Sequence, residues 1–146
     1  MKQFGLIGKH LSHSFSPSFF ADFFQKQGID ANYATYELQE ISDFPQLIKE
    51  RIFGGLNVTI PYKTAIITFL DELDPLAEEI QAVNVIAFEN GKTKGYNTDV
   101  FGFQQSIKPF LTFHHERALI FGTGGASKAV AYVFKSLGID VIFVSQ

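Results

Sequence analysis

The sequence predicts an α/β protein, with an N-terminal α/β domain built on a mostly parallel sheet and, after it, the first βαβ unit of a Rossmann-type domain. Three observations carry this. Strand-like and helix-like segments alternate through the first hundred residues. The glycine-rich turn Gly122-Thr123-Gly124-Gly125-Ala126-Ser127 follows the apolar run Ala118–Phe121 and opens an amphipathic segment. Between the two lies the polar break His114-His115-Glu116-Arg117, so the predicted boundary separates residues 1–113 from 114–146. A dinucleotide-binding fold needs several more strands than 114–146 supplies, and the second unit is expected to be incomplete.

The elements follow in order. Gln3–Ile7 is apolar enough for a buried first strand. Ser16-Pro17 reads as an N-cap and first helical residue, Phe15 and Phe20 stand where a hydrophobic staple would form, and Gly28 stops a helix over 17–27. Phe19, Phe20, Phe23 and Phe24 recur at helical spacing, as core residues do. A strand is expected over 31–38, a helix over 42–53 with Pro45 in its first turn, and a strand over 56–60 that Pro61 ends. Short helices over 62–70 and 75–81 follow, the latter capped by Asp74-Pro75. Asn90-Gly91 joins strands 82–89 and 92–96 in a hairpin, because both residues accept positive φ. A helix over 99–111 closes the first unit.

Composition narrows the class of function. Hydrophobic residues make up 46% and charged residues 18%, a globular balance, and no apolar run approaches the roughly 20 residues that span a membrane. A net charge of −3 without a basic cluster argues against nucleic acid as a partner. The sequence has no cysteine and no metal-ligand pattern, and it starts without the basic and apolar regions of a signal peptide. A cytoplasmic protein with a small-molecule substrate, monomeric or homodimeric and without a membrane partner, is the expectation.

Four polar clusters lie at strand ends, where open α/β sheets bind ligands. His13-Ser14-Phe15-Ser16 puts two hydroxyls beside a helix N-terminus, a suitable seat for a carboxylate. Ser16 is equally explained as an N-cap, which leaves Ser14 without a local task. Asn57 and Thr59 point the same way from an extended strand, and Lys63 begins the next helix, the unfavourable end for a cation. An ordinary solvated lysine is the alternative. Asn84 is the third cluster and Asn97-Thr98-Asp99 the fourth, where Asp99 could be an N-cap and Asn97 a turn residue. In the glycine turn, small residues admit a pyrophosphate to the backbone and the helix N-terminus receives its charge. A cofactor turn placed after such strand ends suggests an oxidoreductase whose substrate domain comes first.

Taken in order, these segments resemble the shikimate/quinate dehydrogenase family, and the resemblance covers the whole chain. It rests on Gly5-Leu6-Ile7-Gly8, His13-Ser14-Phe15-Ser16-Pro17, Asn57-Val58-Thr59-Ile60-Pro61-Tyr62-Lys63, Ala82-Val83-Asn84, Asn97-Thr98-Asp99 and Gly122-Thr123-Gly124-Gly125-Ala126-Ser127. It implies an NADPH-dependent shikimate dehydrogenase that reversibly reduces 3-dehydroshikimate on the route to chorismate and aromatic amino acids, truncated within its nucleotide-binding domain. In that case Ser14, Ser16 and Thr59 hold the substrate carboxylate, Asn84, Lys63 and Asp99 engage the ring hydroxyls, and Lys63 and Asp99 form the catalytic pair. Gly122, Thr123, Gly124, Gly125, Ala126 and Ser127 would bind NADP.

Three positions depart from the family pattern. Thr123 replaces a usual alanine, Gln81 stands where glycine is common, and Gln146 falls where an arginine recognises the 2′-phosphate of NADP. The last departure keeps NAD possible as cofactor. The alternatives are an NAD-linked quinate/shikimate dehydrogenase and a non-catalytic carboxylate-binding fragment. By itself the 146-residue chain is expected to be inactive.

Overall fold

The computed structural model describes residues 1–145, so the expectation for Gln146 lies outside the described residues. Its strands are β1 (Lys2–Gly8), β2 (Ala31–Glu37), β3 (Gly55–Val58), β4 (Glu72–Leu73), β5 (Val85–Glu89), β6 (Lys92–Tyr96), β7 (Arg117–Phe121) and β8 (Asp140–Val144). Its α-helices are α1 (Ser16–Gln27), α2 (Phe44–Glu50), α3 (Pro75–Ile80), α4 (Asp99–Ile107) and α5 (Gly125–Ser136). Six strands form one sheet in the order β2-β1-β3-β5-β6-β4, and β7 and β8 form a separate parallel pair. Within the large sheet only β5 opposes the others, through antiparallel ladders to β3 and β6. The C-terminal ends of β1, β3 and β6 and the N-terminal end of β5 therefore gather at one edge. Four separate stretches of sequence open onto that edge.

The main core lies on one face of this sheet, where Ile7, Phe44, Ile66, Val83 and Ile86 are fully buried. On the other side Leu6, Phe24 and Tyr33 pack under α1, with the Phe20 ring stacked on Tyr33 at 4.4 Å between centroids. A third cluster, Ile80, Ala82, Val100, Ala129 and Val133, joins α3 and α4 to α5 and so seats the β7-α5-β8 unit on the large sheet's helices. No helix among the described residues is long and apolar enough to cross a membrane.

Several local expectations hold for the stated reasons. Asp74 accepts a hydrogen bond from the Leu76 N–H, Gly28 ends α1 at φ 63°, and Asn90 and Gly91 turn the hairpin at φ 52° and 77°. Others are corrected. Helix α1 starts at Ser16 itself, with Phe15 in the cap position and no side-chain cap bond. Phe15 packs on Phe19 one turn on, and not as a staple on Phe20. The helix expected over 42–53 is a 3₁₀ turn at Ile41–Asp43 followed by α2, which stops at Glu50. The helix expected over 62–70 is a 3₁₀ segment at Ala65–Phe69, so Lys63 sits in the turn before it and does not begin a helix. The helix expected over 99–111 ends at Ile107 and continues as a 3₁₀ turn over Lys108–Phe110. Strand β4 was not expected at all. Gln81 has φ 55° and ψ 45°, a left-handed conformation that glycine accepts without cost, which gives a physical reason for glycine at that position.

Candidate active site

At the sheet edge where β1, β3, β5 and β6 converge lies an open cleft of about 540 Å³, lined by Ser14, Ser16, Asn57, Thr59, Lys63 and Asn84 among others. Its central feature is an ion pair: the Lys63 ammonium lies 2.6 Å from Asp99 Oδ2. The lysine side chain is 13% exposed and that of Asp99 30%, so the pair is partly shielded from water and less screened than a surface pair.

Each partner is fixed by its own element. Lys63 leaves the turn that follows β3, where Tyr62 N–H donates to the Thr59 carbonyl. The buried Tyr62 hydroxyl donates to the carbonyls of Leu38 at 2.7 Å and Gln39 at 3.0 Å, anchoring the turn to the chain beyond β2. Burial is also the main reason the Tyr62 hydroxyl titrates above its ordinary range, with Glu40 and Asp43 adding to the rise. Val83 N–H donates to the Lys63 carbonyl at 2.7 Å and ties the turn to the start of β5.

Asp99 is the first residue of α4, just past β6. The preceding Asn97 closes that junction, donating to the Ala82 carbonyl and accepting from Val100 N–H. Asp99 is not the cap residue; Thr98 occupies that position without a side-chain cap bond. Asn84 completes the arrangement, because its amide donates to Asp99 Oδ1 at 2.8 Å and to Thr98 Oγ1 at 2.9 Å while its carbonyl accepts from Thr98 N–H at 2.8 Å. Both Asp99 oxygens are thus held, one by an amide and one by the ammonium.

The serine end differs from the expectation in an instructive way. Ser14, which had no local explanation, accepts a hydrogen bond from the Ser16 N–H at 3.4 Å. Ser16, which a cap would have explained, is the first residue of α1, makes no cap bond and lines the cleft. Between the serines and β3 lies a residue that sequence reasoning missed. Tyr33 is 8% exposed and donates its hydroxyl to Asn57 Oδ1 at 2.8 Å. Its burial pushes the phenol up to about 12, against a smaller opposing effect of the Ser16 hydroxyl. The available signal was a tyrosine on the inward face of β2, since a buried phenol requires a partner. Asn57 also donates its side-chain amide to the main-chain carbonyl of Asn84 at 3.4 Å.

The glycine turn stands between β7 and α5. Gly122 has φ 99°, and a methyl group placed on Gly124 would meet no atom within 4 Å. The backbone at Gly124 is therefore open to a ligand, and the unpaired N–H groups of the first turn of α5 follow directly. Thr123 and Ala126 are exposed, while Ser127 is half-buried with its hydroxyl on the Gly122 side of the turn.

Residues 6–86 match the family profile described as the shikimate dehydrogenase substrate binding domain. The chain belongs to the shikimate dehydrogenase family. Among curated relatives, a shikimate dehydrogenase (NADP(+)) of Pyrococcus abyssi is 42% identical over 142 residues, covering 97% of this chain and 54% of the relative. Among solved structures, the shikimate 5-dehydrogenase of Thermus thermophilus in complex with NADP(H) and shikimate aligns with a TM-score of 0.88 at 32% identity, over 100% of this chain and 56% of that one. A quinate dehydrogenase of Corynebacterium glutamicum in complex with NAD aligns with a TM-score of 0.84 at 28% identity, over 99% and 55% of the two chains. The chain spans about half the length of the curated relatives it matches.

Proposed function

We propose that a protein containing this chain is a shikimate dehydrogenase that reversibly reduces 3-dehydroshikimate to shikimate with NADPH, in the cytoplasm, and that residues 1–113 form its substrate-binding and catalytic domain and 114–146 the start of its nucleotide domain. The observation that carries this reading is the Lys63–Asp99 pair at 2.6 Å, built from two turns 36 residues apart and opening onto a cleft whose other end holds two serines. An acidic sugar-like ring with a carboxylate at one end and hydroxyls at the other fits that polarity.

In this reading Ser14, Ser16 and Thr59 receive the carboxylate. Ser16 contributes a hydroxyl with no cap bond to break, and Thr59 extends from the turn after β3. Lys63 lies where it can hold the substrate oxygen and give a proton as the carbonyl becomes an alcohol. Asp99 orients the lysine, and Asn84 orients Asp99. Asn84 reaches the ring hydroxyls only by exchanging one of the bonds it already makes, so its main contribution is to the geometry of the pair.

The turn formed by Gly122, Thr123, Gly124, Gly125, Ala126 and Ser127 fits a dinucleotide pyrophosphate, because its backbone is open at Gly124 and a helix N-terminus follows. A bound nicotinamide in its reduced form supplies the hydride. The family members of known structure with NADP(H) and shikimate support NADP as the cofactor here.

A second reading, an NAD-linked quinate/shikimate dehydrogenase, is favoured by Gln146 at the place where the family carries an arginine, and by the likeness to the quinate dehydrogenase with NAD. Steady-state kinetics separate the two, using this chain joined to a complete dinucleotide-binding domain and comparing NADPH with NADH on 3-dehydroshikimate and 3-dehydroquinate. Preference for NADPH and 3-dehydroshikimate supports the proposal, preference for NADH and the quinate-series substrate supports the second reading, and no reduction of either substrate rejects both.

A further inference from the structure

The three glycines of the turn share a motif but not an environment. Gly124, with φ −73°, has room for a side chain and a backbone any residue adopts. Gly122 faces only the Ser127 hydroxyl at 3.7 Å, and its φ of 99° is what asks for glycine. Gly125 is confined by something else. A Cβ placed there would fall 2.6 Å from the Cβ of Lys63, 3.5 Å from its Cδ and 3.6 Å from the Cβ of Ala82. The first distance is far inside the roughly 3.5–4.0 Å at which carbon atoms rest.

Neither side of this contact can easily withdraw. The Lys63 turn is held by Val83 N–H on the Lys63 carbonyl at 2.7 Å and by the neighbouring Tyr62 hydroxyl. The lysine stem ends in an ammonium held at 2.6 Å by Asp99. On the other side, Ala129 and Val133 lock α5 into the cluster with Ile80, Ala82 and Val100.

We propose that Gly125 is a positioning residue for Lys63: its missing side chain lets the first turn of α5 seat on the lysine stem, and this contact keeps the ammonium on Asp99. The inference rests on the reading that Lys63 and Asp99 are the reacting pair. It separates the glycines by task, with Gly124 open to the dinucleotide and Gly125 closed against the lysine. A methyl group at 125 must displace the stem by about 1 Å, which a reacting group tolerates at a cost on the order of 10²-fold in rate.

The test is a double-mutant cycle on the 146-residue chain, read by thermal melting. Gly125→Ala should lower Tm by about 5 °C when residue 63 is lysine and by nothing measurable when Lys63→Gly has removed the opposing Cβ. Gly124→Ala, at the N-cap of α5, should lower Tm slightly and by the same amount in both backgrounds. A second readout does not depend on Lys63→Gly folding. Acetic anhydride modification of Lys63, followed by peptide mass spectrometry, should quicken about tenfold in Gly125→Ala, since the ion pair loosens, and should stay as it is in Gly124→Ala. Equal Tm losses in both lysine backgrounds, or unchanged Lys63 modification in a folded Gly125→Ala chain, would overturn the proposal.

With a complete nucleotide domain present, Gly125→Ala should depress kcat by one to two orders of magnitude and move the dinucleotide KM by less than about twofold. A raised dinucleotide KM with kcat intact would assign Gly125 to the cofactor and overturn it as well. Failure of the unmodified protein to reduce 3-dehydroshikimate would reject the functional reading alone, leaving Gly125 to be decided by melting and modification.

Discussion

The six-stranded sheet and the β7-α5-β8 unit meet their hydrophobic requirements in different ways. In the first, Ile7, Phe44, Ile66 and Ile86 are wholly buried, and the side chains of Asn84, Asn97 and Asp99 at the sheet edge each make two or more hydrogen bonds. In the second, β7 and β8 pair only with each other among the described residues, and Leu119, Phe121 and Phe143 are 61%, 78% and 43% exposed. Strands that are apolar on both faces are the mark of a parallel sheet covered on both sides, yet these stand open. Apart from Ile120, Ala131 and Ile139, the buried part of this unit is the face of α5 turned toward α3 and α4. The Lys63–Asp99 pair is therefore carried by the large sheet, with Gly125 at the start of α5 against the lysine, whereas the β7-α5-β8 unit contributes one open glycine turn.

The largest expected effect tests whether the large sheet alone carries the chemistry. With a complete nucleotide domain present, Lys63→Ala or Asp99→Ala should lower kcat by about 10²–10⁴-fold with little change in KM for shikimate. Because Asp99 acts through Lys63, the double variant should be little worse than either single one. A tenfold rise in KM with kcat unchanged would make both residues simple substrate holders.

Stability should divide along the same line. Phe44→Ala removes a wholly buried ring from the main core and should cost about 3–5 kcal/mol, while Phe121→Ala in β7 should stay within about 0.5 kcal/mol because its ring is already 78% exposed. Chemical denaturation of the 146-residue chain measures both. Equal losses would mean that β7 is packed in solution in a way the exposed strands do not suggest.

A smaller effect concerns the carboxylate end. Replacing Ser14 and Ser16 together by alanine should raise KM for shikimate by roughly 10–100-fold, the loss of one or two hydrogen bonds to a charged group, with kcat changed far less. Ser16→Ala alone should account for most of it, since Ser14 is already engaged with the Ser16 N–H. An unchanged KM in the double variant would reduce both serines to loop residues.

The sequence was legible where a residue type answers one local requirement. Asn90-Gly91 marked the hairpin because two consecutive positive φ angles suit few other pairs, and Asp74-Pro75 marked the start of α3 because cap and first-turn preferences coincide there. It was ambiguous where one residue has two explanations, as Ser16 does at the start of α1, and the helix settles the local one by placing Phe15 in the cap position. Strand β4 has two residues, too few to show any period, and exists because its partner β6 offers an edge. The pairing of Lys63 with Asp99 was legible through the resemblance and through their places just past two strand ends, but the route by which the sheet brings them together was not. Lys63 and Asp99 follow β3 and β6, which are not neighbours; β5 runs between them in the opposite sense and delivers Asn84 to the gap. That route is a property of strand order, as is the approach of Gly125 to Lys63, and neither leaves a local trace in the chain.

The smallest effect lies at the seam between the two regions. Gln81 ends α3 in a left-handed conformation, which costs a residue with a Cβ roughly 1–2 kcal/mol, and its carbonyl accepts a bond from the Lys128 ammonium of α5 at 3.1 Å. Gln81→Gly relieves the strain and keeps the carbonyl, but loses an exposed side-chain bond to the Glu78 carbonyl and frees the unfolded chain. The balance should favour glycine by under about 1 kcal/mol, a rise of a few degrees in Tm. Gln81→Ala, which keeps the strain and loses the bond, should be no more stable than the natural chain. If both variants melt lower, the glutamine side chain holds the seam together, and the left-handed turn is tolerated for the sake of that contact.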